Sequence, residues 1–521
     1  MRLLSHIRQR TYQDSIKLMQ FQALLSGVPG VVDCGVAMAT PANKAQFEQA
    51  GILTDEMRKA DSNDLCIVVR VDGEDAVSRV LEKIERHFQP NSDSGDYLDE
   101  VVAGAKSIST AVRRVPHANL AVISVPGDYA AFEAMNALSS GLHVFLFSDN
   151  VPVEDEIELK SLADEKDLLV MGPDCGTSII SGVGLGFSNR VRRGKIGIVA
   201  AAGSGMQEAS CLIHRMGEGI SQAIGTGGRD LSGRVGGRTF LRALDALAAD
   251  EQTELLVLIS KHCDEEVAQK ILERVEGTEK PVVFYFSGVS PLSHACSGKL
   301  YEARHLEHLA ATSVALLRGE GQPEALDSKA ILNEMGARLS AKAAGCGERQ
   351  KYLRALLCGG SFVDQACTII PSLLEGVYAY PAAGQAHSLE DPLVSRGHTI
   401  LDLGEDYFTR GRAHPMIDPS IRNERILREA ADPEVKVILL DVVLGYGAHP
   451  DPAGNLAKVM AEALSLARAR GGELCVVVSL CGTEEDVQGY DTQRDMLTAA
   501  GALVTESSTR AALIAGLLAA R

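Results

Sequence analysis

No run in this chain approaches the roughly 18 consecutive apolar residues that a spanning helix needs, and the basic start, Met1 to Arg10, is not followed by the apolar stretch of a secretion signal. A cytoplasmic protein is the expectation. Positive charge is also short: 51 Lys and Arg stand against 69 Asp and Glu, a formal charge of −18. Nucleic acid and anionic membranes need basic surface, so neither is expected as the main partner, and an anionic substrate has to be met locally. The 11 cysteines contain no C-x-x-C pair. Several sit inside apolar runs, such as Leu65-Cys66-Ile67 and Leu474-Cys475-Val476, which reads as reduced buried thiols with neither a disulfide framework nor a metal site.

What is present is ordinary for globular protein, 45% hydrophobic and 23% charged residues. At 521 residues one core cannot hold the chain, and three or four domains are expected. Apolar periodicity predicts strand–helix alternation throughout, hence an α/β multidomain protein. A small N-terminal α/β domain over residues 1–95 has strands at Val31 to Ala37 and Leu65 to Val71 and helices at Ser15 to Leu25 and Ala76 to His87. Its Thr40-Pro-Ala-Asn-Lys44 reads as a polar site loop or as a helix N-terminus. A turn-rich stretch from Gln89 leads to a Rossmann-like unit, 110–190, with strands at Leu120 to Val125, Val144 to Phe147 and Leu168 to Met171. Pro126-Gly127 and Gly172-Pro173 close two of these strands, where ligands of open parallel sheets gather; such loops suit a nucleotide-like cofactor or serve a plain scaffold. A third unit, 191–320, and a fourth, 350–521, both flavodoxin-like, are joined by a charged connector. The long strand Val435 to Val443 belongs to the fourth.

The stretch that organises the chain is Gly194-Lys-Ile-Gly-Ile-Val-Ala-Ala-Ala-Gly-Ser-Gly-Met-Gln-Glu208. Strand, tight loop and helix follow one another, and Gly203, Ser204 and Gly205 leave N–H groups bare at a helix start, a setting for phosphate. No Lys-Ser/Thr follows, so it is not a Walker A loop, and Glu208 stands where a third glycine would complete a dinucleotide fingerprint. A glycine-lined turn that binds nothing has the same pattern. A second such loop, Gly445-Tyr-Gly447, precedes a helix with Asp451 as N-cap and Pro452 at its first position. The two loops are expected to face one cleft and share an oxyanion. Arg412 in Gly-Arg-Ala-His-Pro, with Arg229 in Gly-Gly-Arg-Asp second, has the two-pronged geometry to hold a substrate carboxylate; His414, then His449, is the expected proton donor. Alternatively Arg412 and His414 brace a turn against Asp418, and Arg229 pairs with a carboxylate.

These residues resemble the succinyl-CoA synthetase superfamily, and more closely its FdrA branch. Leu120 to Ser181, ending in Gly-Pro-Asp-Cys-Gly-Thr, is similar to the CoA-binding domain of the α subunit; Gly194 to Glu208 and Gly225 to Asp230 are similar to its ligase domain. Thr399 to Leu456 is similar to the carboxyl-terminal domain of the β subunit. Thr40-Pro-Ala-Asn-Lys44, Arg229-Asp230 and His414-Pro-Met-Ile-Asp418 carry the closer likeness. The resemblance implies the large component of an oxamate carbamoyltransferase, which converts oxalurate, or a related ureido acid, and phosphate to oxamate and carbamoyl phosphate. It also implies two other subunits, a link to carbamate kinase and an oligomer. An acyl-CoA synthetase using CoA, and a non-catalytic scaffold, are the competing readings. Two departures matter. Lys280-Pro-Val-Val283 is present, but His294 in Leu-Ser-His-Ala-Cys comes early and lacks the glycines of the synthetases' phosphorylated Gly-His-Ala-Gly, and no length remains for an ATP-grasp domain. Neither ATP hydrolysis nor a stable phosphohistidine is therefore expected of the isolated chain.

Overall fold

Three antiparallel strands open the chain, Arg2–Arg8, Val31–Met38 and Leu65–Val71, with the last in the middle. The protein is represented by a computed structural model that describes residues 2–11, 13, 15–88, 105–287, 298–410 and 412–521. His294 lies outside these residues. Every residue of Leu65–Val71 except Arg70 is buried, because helices Ser15–Ser26 and Glu74–Phe88 cover one face and Phe47, Ile52 and Met57 fill the other. The Thr40 loop is a helix start: Thr40 accepts the Asn43 N–H at 3.3 Å, Asn43 donates to the Met38 carbonyl at 2.8 Å, and Lys44 donates to the Arg58 carbonyl at 3.2 Å.

The second unit is a parallel three-stranded sheet, Leu120–Ile123, His143–Leu146 and Val170–Met171 in chain order. The next two strands, Thr177–Ile180 and Val183–Gly186, expected to belong with this unit, form a hairpin at the edge of the following sheet, where Ile179 pairs antiparallel with Ala223. In that seven-stranded sheet Arg193–Ala200 and Leu255–Ser260 run side by side at the centre, flanked by Ile220–Gly225 and Val282–Phe286. A wholly parallel seven-stranded sheet forms the carboxyl-terminal unit, with Tyr352–Leu357 beside Val435–Val443 at its centre. All nine residues of Val435–Val443 are buried, the pattern of a strand covered by helices on both faces.

The two large sheets are locked together. Asn189 donates to the Leu444 carbonyl and to Asp486, both at 2.8 Å. Glu208 accepts the Ser508 N–H at 3.0 Å, capping helix Ser508–Ala519 of the other half, which accounts for an acidic residue where a dinucleotide loop would carry glycine. The connector contributes helix Ser328–Ala343, whose Ile331 and Leu339 are buried in the carboxyl-terminal core. No helix among the described residues is long and apolar enough to cross a membrane. The ten described cysteines are all free, and only Cys346 is not buried.

Candidate functional site

Two helices meet end to end across the junction of the halves. Helix Gly203–Arg215 follows strand Arg193–Ala200, and helix Gly360–Ile369 follows strand Tyr352–Leu357. Each begins on small residues with no side-chain cap, Ala202 and Gly359 at the two N-cap positions. The starts are cross-linked reciprocally: the Gly205 N–H donates to Ser361 Oγ, and the Ser361 N–H to Ser204 Oγ, both at 3.0 Å. A Cβ on Gly359 would come within 2.9 Å of the Ser204 side chain and 2.6 Å of the Phe362 ring, so glycine is what allows the close approach. Behind the second start the buried Asp441 accepts the N–H groups of Cys358 at 3.0 Å and Gly359 at 2.8 Å, while Arg422 donates to its carbonyl at 2.6 Å. Gly203, Ser204 and Gly360 have N–H groups with no protein acceptor among the described residues.

The partner of the Gly203 loop is therefore Cys358-Gly-Gly-Ser361, and the expected pairing with Gly445 to His449 is corrected. Tyr446 bridges to Ser188, a Cβ on Gly445 would collide with the Ser188 carbonyl, and Gly447 lies against the Phe187 ring. The helix after that loop, Pro452–Ala469, has its start occupied by Asp451, which accepts the Gly454 N–H at 3.0 Å. Gly445 and Gly447 thus pack one half on the other. His449 lines a small pocket with Cys358, Arg422 and Asp441 behind the second helix start, its Nδ1 accepting the Asp451 N–H and its ring lowered in pKa by burial.

The helix junction opens into a cleft of about 1180 Å³. Its wall brings together Pro126, Pro173, Gly203, Ser204, Arg229, Arg412 and His414, with Lys261, Asp402 and Asn43 beside them. Arg412 is exposed on a bend, and among the described residues only its backbone N–H, donating to the Thr409 carbonyl at 2.8 Å, is tied down. His414 accepts the Met416 N–H at 3.2 Å on Nδ1, and burial, with help from Arg422, pushes its imidazole down to about 4. A ring that is neutral at physiological pH is a poor proton donor. Two carboxyls of the cleft suit that task better: burial pushes Asp402 and Asp174 up to about 7, and it pushes Asp364, which does not line the cleft, up to about 6. Burial pulls the Lys261 ammonium down, but Asp364, Asp402, Asp174 and Glu405 outweigh it and hold it above the usual lysine range.

Arg229 is a brace. Its Nε donates to Glu156 at 3.1 Å and its Nη2 to the Val151 carbonyl at 2.8 Å. Glu156 and Asp230 both accept from the buried Lys160, at 2.8 and 2.7 Å. The remaining cofactor candidates are spacing glycines: a Cβ on Gly127 would strike the Asp149 and Asn150 carbonyls, and one on Gly172 the Leu146 carbonyl. The loops over residues 124–127, 147–150 and 172–176 carry two carboxylates, Asp149 and Asp174, and no cation, and helix Gly127–Ser139 starts among them with no side-chain cap.

Residues 356–518 match a family model described as CoA-ligase, and residues 1–101 match that of the AllF heavy metal-associated domain. The described part of the latter does not fit a metal ion. Cys34 and Cys66 lie in the cores on opposite faces of the sheet, burial pushes their thiols up to about 12 and 11, and no described group of three His, Cys, Asp or Glu is placed to hold one. Succinate–CoA ligase subunit alpha-2 of Trichomonas vaginalis is 31% identical over 202 residues, 37% of this chain and 64% of that one. Subunit alpha 2 of Archaeoglobus fulgidus is 30% identical over 190 residues, 35% and 63%; the chain spans less than two thirds of either relative. The uncharacterized protein YahF of Escherichia coli strain K12 is 43% identical over 515 residues, covering 98% of this chain and 97% of YahF. With both chains matched almost from end to end, the protein belongs to the YahF family, and it carries a CoA-ligase-type segment over residues 356–518 together with a stretch similar to succinate–CoA ligase alpha subunits on one polypeptide.

Proposed function

We propose that the chain is the phosphate-handling component of a carbamoyltransferase of the oxamate type. The observation that supports this is the pair of uncapped helix starts joined through Ser204 and Ser361: two dipoles and several free N–H groups converge on one point, and such a junction favours a small oxyanion. In the forward direction a phosphate oxygen attacks the terminal carbonyl of a ureido acid, the C–N bond to the remaining amide breaks, and carbamoyl phosphate forms as the amide nitrogen takes a proton. The helix N–H groups neutralise the attacking phosphate and the developing oxyanion. Arg412 holds the carboxylate of the ureido acid, and Asp174, whose carboxyl burial pushes up to about 7, supplies the proton. Water has to be kept from carbamoyl phosphate. The N-terminal strand Val31–Met38 and Asn43 line the cleft, so closure over the site falls to that domain.

An acyl-CoA synthetase activity is the second reading, favoured by the CoA-ligase match over residues 356–518 and opposed by the acidic loops around Asp149 and Asp174. The discriminating experiment is phosphorolysis of a panel of ureido acids by the chain, alone and with co-purifying proteins, with carbamoyl phosphate as the readout and acyl-CoA formation in parallel. Acyl-CoA formation without carbamoyl phosphate from any ureido acid would refute the carbamoyltransferase reading.

A further inference from the structure

Lys261 has no place in any motif of the sequence. It stands just past the carboxyl end of the central strand Leu255–Ser260, the edge at which open parallel sheets bind ligands. Its side chain is exposed to the cleft although protein surrounds it, and among the described residues no hydrogen bond or ion pair holds its ammonium. A Cβ placed on Gly360 would run into Lys261 Nζ and would lie 3.1 Å from Asp402 Oδ2. Lysine and aspartate thus flank the first residue of helix Gly360–Ile369, one of the two starts joined by Ser204 and Ser361. Asp402 is 4% exposed, its other oxygen accepting the Gly404 N–H at 2.9 Å.

We propose that Lys261 and Asp402 form the recognition pair for monohydrogen phosphate at the helix junction, Lys261 supplying the countercharge and Asp402 accepting the phosphate O–H. This inference rests on the oxyanion reading of the junction given above and adds what selects the anion. A lysine ammonium is a compact point charge with three donors, suited to a tetrahedral oxyanion. A buried carboxylate repels any anion that has no proton to offer it. Sulfate has the shape and charge of monohydrogen phosphate and lacks that proton, so the pair excludes it, as an acceptor placed against the wrong ligand does elsewhere. Neither residue does this alone: without Lys261 the carboxylates of Asp174, Asp364, Asp402 and Glu405 would face an anion uncompensated.

The test is calorimetric titration of the full chain with inorganic phosphate and with sodium sulfate, in mildly alkaline solution where Asp402 is ionised. Wild type is expected to prefer phosphate by at least about tenfold, the worth of one charge-assisted hydrogen bond. Lys261→Met should lose about tenfold or more in phosphate affinity, Lys261→Arg less, and Asp402→Asn should bind both anions with similar affinity. As a check independent of variants, phosphate should protect Lys261 of the wild-type chain from reductive methylation read by mass spectrometry. Wild type that binds phosphate while Lys261→Met binds it equally well, or while Lys261 is methylated at an unchanged rate, would overturn the role of Lys261 and leave the helix junction standing. Retained discrimination in Asp402→Asn would overturn the role of Asp402. No phosphate binding by wild type would overturn the junction itself and this inference with it.

Discussion

Lys160 lies in helix Val153–Glu165 and is 1% exposed, yet it bonds to Glu156 at 2.8 Å, Asp230 at 2.7 Å and the Thr226 carbonyl at 3.0 Å. It therefore fastens the Rossmann-like unit to the loop Gly225–Gly228 that lines the cleft. Lys160→Met keeps the volume and removes the charge, leaving two buried carboxylates. Breaking a buried ion pair from one side costs about 3–5 kcal/mol. The cost here falls at the lower end, about 3 kcal/mol, because Arg229 still reaches Glu156 at 3.0 Å and the Phe240 N–H still donates to Asp230 at 2.7 Å. The loss is local, so hydrogen exchange at the start of helix Arg238–Ala249 is the suitable assay. Exchange at Phe240 should accelerate about a hundredfold, with amides of Val435–Val443 unchanged. Acceleration of less than about threefold would show that the network contributes little and that Arg229 is free for another task.

Asp451→Ala removes the N-cap of Pro452–Ala469 and should lower stability by about 1 kcal/mol in denaturant titration while phosphate affinity is kept; a loss of affinity would return Gly445 and Gly447 to the site. Arg412→Lys should raise KM for the ureido acid by about tenfold with phosphate KM little changed, since a point charge cannot reproduce the fork, and steady-state kinetics with the partner proteins checks it. Asp402 provides a pH signature. Its folded pKa of about 7 stands above its ordinary value, so between the two the folded state binds more protons than the unfolded and stability falls as pH rises toward and through 7. Asp402→Asn should flatten that decline in thermal melts, and an unchanged slope would assign the proton to Asp174 or Asp364.

The elements were legible where burial is two-sided and continuous. Val435–Val443 matches the expected strand from end to end, because a central parallel strand is a near-continuous apolar run, here interrupted only by the buried Lys436 and Asp441. The hairpin Thr177–Ile180 and Val183–Gly186 falls within 110–190 but joins the following sheet, since nothing in four residues records which sheet edge they join. The site was half legible. Gly203 to Gly205 announce a bare helix start, but the partner start is 157 positions away from Ser204, and two strand–glycine–helix patterns in the carboxyl-terminal half compete for the role. Cys358-Gly-Gly-Ser361 carries the same signal as Gly445 to Gly447.

The residue before each helix separates the two patterns. Asp451 places a carboxylate on its own helix start and satisfies the N–H that an anion would need, whereas Gly359 and Ala202 have no side chain that reaches theirs. A helix whose N-cap is chosen for stability excludes the anion, and one left uncapped forgoes about 1 kcal/mol of capping so that a ligand can take the cap's place. By that criterion the junction of Ser204 with Ser361 joins two helix starts that no N-cap side chain fills, and Lys261 stands beside it.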